Sequence, residues 1–72
     1  LKFITMLHQP TILIIDHKNN HVRIYANCTT KKQAKERGLK TAGDVRKFAD
    51  KKSAVLYYKE NYENYTYSVT IL

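Results

Sequence analysis

The sequence predicts a small α+β domain in which an antiparallel sheet carries its helices on one face. Three observations predict this class: β-branched and aromatic stretches near both ends, an asparagine-rich turn between two of them, and a helical, strongly basic middle. At 72 residues the chain forms a single domain, 1–72, with a thin hydrophobic core. The expected element order is β-β-β-α-α-β-β, or β-β-β-α-β if residues 53–60 continue the last helix.

The N-terminal third of the chain predicts three strands. Residues 1–8 are apolar on both faces of an extended chain, and Pro10 ends this strand because proline lacks the amide donor. The next stretch, TILIID, and the stretch 21–27 flank a turn at 17–20, whose adjacent asparagines tolerate positive φ. We therefore expect a hairpin over 11–27.

A first helix is predicted over about residues 31–37. Thr30 and Gln33 have the spacing of a capping box, which satisfies free amide groups at a helix start. Gly38 stands where a glycine in the left-handed conformation would end the helix.

A second helix is predicted over about residues 43–52. Thr41 and Asp44 repeat the capping-box spacing ahead of it. Its apolar stripe has the helical spacing i, i+3, i+4 and consists of Val45, Phe48 and Ala49.

Two further strands are predicted after the helices. The stretch 53–59, SAVLYYK, contains a run of β-branched and aromatic residues, which lose rotamers in a helix. Residues 65–72 alternate between apolar and more polar side chains, as expected for a strand with one apolar face.

Little in the sequence indicates catalysis. Asp16, His17 and His21 cluster around the predicted turn and could meet a metal, but solvated turn residues are the preferred interpretation. There is no paired-carboxylate, P-loop or nucleophile-elbow pattern. We therefore expect a non-enzymatic protein without a metal or other cofactor. The single cysteine, Cys28, favours a reducing, cytoplasmic compartment, and the longest aliphatic run, 12–15, is too short to span a membrane.

Charge is the strongest functional signal. The net charge is +7, and the stretch 30–52 contributes most of it. A cluster of Lys and Arg is typical of a protein that binds a polyanion, although a solvated helix face would have the same composition. The candidate nucleic-acid-binding residues are Lys31, Lys32, Lys35, Arg37, Lys40, Arg46, Lys47, Lys51 and Lys52.

Individual roles follow from the predicted helices. Lys31 and Lys32 would stand at a helix N-terminus, where amide groups and cations can together hold a phosphate. Lys47 and Lys51 would contact a groove or the backbone, while Arg46 could pair with guanine through its two-pronged side chain. The leading hypothesis is a small regulatory nucleic-acid-binding protein, with DNA a better candidate partner than RNA.

Two local patterns agree with a DNA partner. Ala34, Gly38 and Val45, followed by the run RKFAD, resemble the helix-turn-helix of excisionase- and MerR-type DNA binders. Residues 37–43, RGLKTAG, are similar to the turn of the SAP helix-extension-helix motif. Both resemblances imply that the basic stretch presents helices to DNA.

The competing hypothesis is a non-enzymatic protein-binding module or inhibitor, of the kind that phages and mobile elements make. The strand at 65–72 could add to the sheet edge of a partner, such as an acidic protein, or pair with itself in a homodimer. Salt separates the two hypotheses, because it weakens binding to phosphates strongly and a hydrophobic interface hardly at all.

Overall fold

The computed structural model describes residues 10–72, which form a four-stranded mixed sheet and two helices. The elements in chain order are β1 (Thr11–Asp16), β2 (His21–Ala26), α1 (Lys31–Glu36), β3 (Asp44–Phe48), α2 (Lys51–Asn61) and β4 (Thr66–Ile71). The predicted class of a small α+β domain is confirmed. The strand predicted over residues 1–8 lies outside the described residues.

The predicted hairpin is confirmed as β1 and β2. The two strands are antiparallel, with Thr11 opposite Ala26 and Asp16 opposite His21. Asn20 adopts a positive φ of 52°, as the turn requires. The Asp16 carboxylate closes the same turn by accepting the Lys18 backbone amide at 3.1 Å.

The sheet has the strand order β3-β1-β2-β4 and is mixed, whereas a wholly antiparallel sheet was predicted. β1 is antiparallel to both of its neighbours, but β2 and β4 are parallel. The connections β2–α1–β3 and β3–α2–β4 cross the sheet in opposite directions and over opposite faces. They therefore have the same hand, as expected for crossovers between parallel strands.

The two helices pack on opposite faces of the sheet, not on one face as predicted. The α2 face has a core of Leu13, Ile15, Val22 and Ile24, covered by Ala54 and Tyr58. The α1 face has a core of Ile12, Ile14 and Tyr25, covered by Ala34 and Cys28. The physical reason is that every residue of β1 is buried, so each face needs its own cover.

The first predicted helix is confirmed as α1. The Thr30 hydroxyl accepts the Gln33 amide at 3.1 Å, and the Gln33 side chain accepts the Thr29 amide at 2.8 Å. Gly38 follows the helix with a φ of +77°, which is the conformation expected of a terminating glycine.

The second predicted helix, over 43–52, is wrong, because Asp44–Phe48 is strand β3. The spacing of Val45 and Phe48 fits one face of a helix, but in a strand the same spacing places the two side chains on opposite faces of the sheet. Val45 packs in the core of the α1 face and Phe48 in that of the α2 face. Asp44 does not cap a helix, and its carboxylate lies 2.9 Å from His17 Nε2.

The strand predicted over 53–59 is also wrong, because these residues belong to α2. Asp50 caps the helix by accepting the Ser53 amide at 2.7 Å, and Ala54 and Tyr58 form its buried stripe at i, i+4. The alternative in which 53–60 is helical was right on this point. The order over 10–72 is β-β-α-β-α-β. The strand predicted over 65–72 is confirmed as β4.

Candidate functional site

All nine predicted basic residues are exposed, but they lie on both sides of the sheet. Those on the α1 side are Lys31, Lys32, Lys35, Arg37, Lys40 and Lys47. Those on the α2 side are Arg46, Lys51 and Lys52. The split arises because Arg46 and Lys47 are neighbours on a strand, so their side chains project to opposite faces.

A DNA-reading helix is not present in the second half of the basic stretch. Residues 44–48 form an edge strand, so the helices implied by the helix-turn-helix and SAP resemblances do not exist there. Arg46, the predicted guanine reader, lies on the α2 side and donates to the Val45 carbonyl at 3.2 Å. Its interaction with the Tyr57 hydroxyl is the main cause that raises the Arg46 pKa above its usual value.

An open polar cleft of about 620 Å³ lies on the α1 face. It lies over β2 and β4, beyond the part of the sheet that Ala34 of α1 covers. Its lining residues are Asn19, His21, Arg23, Tyr25, Lys40, Thr66, Ser68 and Thr70. The cleft thus combines two cationic side chains with a floor of hydroxyl and imidazole groups. Sequence reasoning missed it, because the floor depends on the parallel pairing of β2 with β4.

The floor of the cleft is ordered by hydrogen bonds between the two strands. His21 Nδ1 lies 2.7 Å from the Thr66 hydroxyl, and His21 Nε2 lies 3.1 Å from the Ser68 hydroxyl. Arg23 donates to Asp16 Oδ2 at 3.1 Å and to the Ala42 carbonyl at 3.4 Å. These contacts hold the polar side chains in place before any ligand arrives.

Asp16 keeps its negative charge beneath Arg23. The side-chain hydrogen bond from Asn19 is the largest of the causes that lower the Asp16 pKa from 3.8 to about 2, with Arg23 contributing as well. The carboxylate is therefore ionised at neutral pH and largely cancels the charge of Arg23. Lys40 is left as the principal cation of the cleft lining.

Tyr25 attaches the loop after α1 to the sheet. Its hydroxyl donates to the Lys40 carbonyl at 2.7 Å, and burial raises the Tyr25 pKa, so the hydroxyl keeps its proton. Arg37 donates to the Asn27 carbonyl at 3.1 Å at the start of the same loop. These bonds fix the loop that carries two of the predicted basic residues.

A second concave surface lies between α2 and β4, which we call the apolar groove. It has a volume of about 650 Å³ and is lined by Lys51, Lys52, Val55, Leu56, Lys59, Tyr67, Val69 and Ile71. Every large hydrophobic side chain that is exposed within residues 10–72 lies here: Leu56 at 54%, Tyr67 at 46%, Val69 at 38% and Ile71 at 67%. The alternation of 65–72 predicted this apolar face, but nothing in the sequence indicated that α2 leaves it uncovered.

The polar residues of the hairpin turn go to separate places. His17 Nε2 contacts Asp44, and His17 Nδ1 lies 3.1 Å from the Tyr65 hydroxyl. Asp16 and His21 belong instead to the polar cleft and its supports. Within residues 10–72, no group of three or more His, Cys, Asp or Glu side chains could hold a metal ion.

Comparisons with known proteins give no assignment. No protein-family model matches the chain, and neither does any curated protein or solved structure. Neither helix within residues 10–72 combines the length and the apolar content that crossing a lipid bilayer takes.

Proposed function

We propose that the protein binds nucleic acid through the α1 side of its sheet. One observation carries the proposal: this side of the sheet has six of the nine predicted Lys and Arg residues, and one of them, Lys40, lines the open polar cleft. Lys and Arg neutralise phosphates and release counterions, which supplies most of the affinity in non-specific binding. DNA is the first partner to test and RNA is the second.

The acidic residues do little to offset this charge. Asp16 is paired with Arg23, and Asp44 contacts His17 on the α2 side. Asp50 is used as the N-cap of α2. α1 contains three lysines and a single acidic residue, Glu36. A phosphate backbone approaching this side therefore meets a positive potential.

The geometry favours backbone contacts over base reading. α1 has six residues and ends at Gly38, so it is too short to lie along a major groove as a recognition helix does. Thr70 offers a hydroxyl group that can donate to a phosphate oxygen, while the hydroxyls of Thr66 and Ser68 are already hydrogen-bonded to His21. We therefore expect binding that depends strongly on salt and weakly on nucleotide sequence.

Matched charge reversals on the two sides of the sheet test the proposal. Lys35→Glu with Lys47→Glu alters the α1 side, and Lys51→Glu with Lys59→Glu makes the same change of charge on the α2 side. Fluorescence anisotropy would follow binding to labelled duplex and single-stranded DNA and RNA over a salt series. Each phosphate contact to duplex DNA should contribute about −0.9 to the slope of log K against log salt.

We expect the α1-side pair to lower the affinity at least tenfold and to make the slope less steep by about 2, since two contacts are lost. The α2-side pair should lower the affinity less, because only the long-range charge changes. Equal losses from both pairs, or no binding by the wild type at low salt, would contradict the proposal.

A reducing, cytoplasmic location is part of the same proposal. Cys28 is 1% exposed, and its Sγ lies 3.3 Å from the Thr30 carbonyl just before α1. A buried free thiol at this position packs as a small hydrophobic group, which suits a compartment that keeps thiols reduced.

The alternative of a protein-binding module is favoured by a different observation, the apolar groove. Its exposed aliphatic and aromatic side chains offer nothing to a phosphate backbone, but they are suited to a protein partner. Because the groove is on the α2 face and the basic surface on the α1 side, the two functions do not exclude each other.

A further inference from the structure

Strand β4 lies at the edge of the sheet and has no charged residue. Its sequence is TYSVTI, and within residues 10–72 it pairs with β2 alone. Edge strands of monomeric proteins usually carry lysine, proline or a bulge, which discourage pairing with another chain. β4 has no lysine or proline, and its six residues pair one-to-one with those of β2.

The backbone groups of β4 divide into two sets. The Thr66 amide donates to the Asn20 carbonyl at 3.1 Å, and the Leu72 amide donates to the Ala26 carbonyl at 3.2 Å. Because N–H and C=O groups change side at each residue of a strand, the groups of Tyr67, Val69 and Ile71 point away from β2. These three residues therefore present the donors and acceptors of the β4 edge that pairs with no other strand of residues 10–72.

The same three residues also present the apolar side chains of the groove. Their register places Tyr67 beside Val22, Val69 beside Ile24 and Ile71 beside Ala26, all on the α2 face. An added strand with apolar side chains on that face would thus satisfy the edge and cover the groove at once.

We propose that the added strand is β4 of a second copy of the chain, paired antiparallel about a two-fold axis at Val69. Val69 then lies opposite Val69 of the second copy, and Tyr67 lies opposite Ile71 of the second copy. All three outward-pointing residues fall in hydrogen-bonded pairs in this register. Their side chains form one apolar row across the seam, with Leu56 from each copy beside it.

The strand itself adds no charge repulsion between two copies at the seam. Two strands that carry no charge can approach although each chain has a net charge of +7. The lysines of the groove, Lys51, Lys52 and Lys59, are on α2 and not on the strand. They repel their counterparts across the axis, so added salt should strengthen the dimer. Nucleic-acid binding has the opposite dependence.

The dimer would also join the two polar clefts. Thr66, Ser68 and Thr70 line the cleft from the α1 face of β4, so pairing through β4 places the two clefts side by side on one eight-stranded sheet. The interface does not depend on the proposed nucleic-acid function, because it uses the opposite face of the sheet and the strand edge.

Sedimentation equilibrium and residue-resolved hydrogen exchange together test the dimer. We expect the average mass to rise from monomer to dimer with protein concentration, and the midpoint to move to lower concentration in higher salt. The Tyr67, Val69 and Ile71 amides should become protected as the dimer forms. The Ser68 and Thr70 amides point toward β2 and should be protected at every concentration.

Val69→Lys is the variant that should break the dimer, since it places two lysines opposite each other at the axis. Asn64→Lys makes a similar addition of charge in an exposed loop and should leave the dimer intact. Retained protection at Ser68 and Thr70 would show that Val69→Lys still folds.

Three results would overturn the proposal. One is a monomer at all concentrations with rapid exchange at Tyr67, Val69 and Ile71. Another is a monomer in which these amides are protected, since residues 1–9 of the same chain would then be the candidate cover. The third is a dimer in which they stay unprotected, because the interface would then lie elsewhere. None of these depends on whether the wild type binds DNA.

Discussion

The two edges of the sheet differ in charge. β3 has the sequence DVRKF, so Asp44, Arg46 and Lys47 make three of its five residues charged. β4 has the sequence TYSVTI and none. Charged side chains on an edge oppose pairing with another chain, so β3 is protected and β4 is not. The comparison agrees with the proposed association through β4 alone, which would permit a closed dimer and disfavour open chains of subunits.

The two edges are also attached to the sheet differently. β3 begins where Gly43 approaches β1 so closely that an added Cβ would lie 2.1 Å from the Ile15 carbonyl oxygen. β4 is held by its parallel ladder with β2 and by Tyr58 of α2, whose hydroxyl donates to the Tyr65 carbonyl. Substitutions at these points therefore measure how much the attachment of each edge contributes to the free energy of unfolding.

The largest effect is expected at the β3 edge from Gly43→Ala. The new methyl group would clash with the Ile15 carbonyl, and φ of +125° is a conformation that side chains rarely adopt. We expect the free energy of unfolding to fall by at least about 3 kcal/mol, measured by urea denaturation.

Gly38→Ala is the matched control. Gly38 has a φ of +77° but no atom within 4 Å of an added Cβ, so the cost should be about 1 kcal/mol, the strain alone. If both variants lost equal stability, the close approach of β3 to β1 would not be what anchors this edge.

A smaller effect is expected at the β4 edge from Tyr58→Phe. Tyr58 of α2 is 7% exposed, and its hydroxyl donates a hydrogen bond to the carbonyl of Tyr65, the residue just before β4. Its loss leaves the Tyr65 carbonyl without that donor and should cost about 1 kcal/mol in the free energy of unfolding. Tyr67→Phe, at an exposed ring with no hydrogen bond to its hydroxyl within residues 10–72, should cost less than about 0.5 kcal/mol.

The last effect is confined to acid and concerns the hairpin that both edges share. The Asp16 pKa is about 2 in the folded state against an ordinary value of 3.8. A lowered folded-state pKa contributes stability above the ordinary value, and the contribution is lost as the pH falls from 3.8 to about 2. Asp16→Asn should therefore flatten the dependence of the melting temperature on pH within that window.

Asn19→Ala tests the cause of this shift. It removes the side-chain hydrogen bond that contributes most to the lowered Asp16 pKa. The folded-state pKa of Asp16 should therefore rise toward 3.8, and stability should depend on pH over a narrower range. If the melting temperatures of the wild type and both variants changed with pH in the same way, the stability of this hairpin would not depend on the ionisation of Asp16.

Local chemistry was enough to predict part of the fold. The turn at Asn20 and the capping box at Thr30 and Gln33 are contacts between near neighbours, so the sequence contains their whole cause. Strand β4 was likewise predictable from its alternating pattern, because one side of the strand is apolar along its whole length.

The errors arose where tertiary contacts decided the outcome. Val45 and Phe48 suit one helix face by spacing but are buried on two different sheet faces. The β-favouring run in α2 became helical because Asp50 caps it, and because Ala54 and Tyr58 bury one stripe on the sheet. Asp50 and Ser53 were the missed signal, a cap that starts the helix later than predicted.

The candidate site was only partly predictable for a similar reason. All nine basic residues are exposed, as a binding role requires. Their division between the two sides arises because residues 44–48 form a strand, on which Arg46 and Lys47 face opposite ways, and because Lys51 and Lys52 belong to α2. The polar cleft and the apolar groove depend on the parallel pairing of β4 with β2, which joins segments remote in the sequence.

That remote pairing sets an order for folding. The hairpin closes a short loop, whereas His17 meets Asp44 across 27 positions and His21 meets Thr66 across 45. Since closing longer loops costs more entropy before contacts repay it, we expect β4 to dock last. Until it docks, the edge of β2, with Val22 and Ile24 beside it, stays open to other chains. Refolding yield should therefore fall as protein concentration rises, whether or not the folded protein forms the proposed dimer.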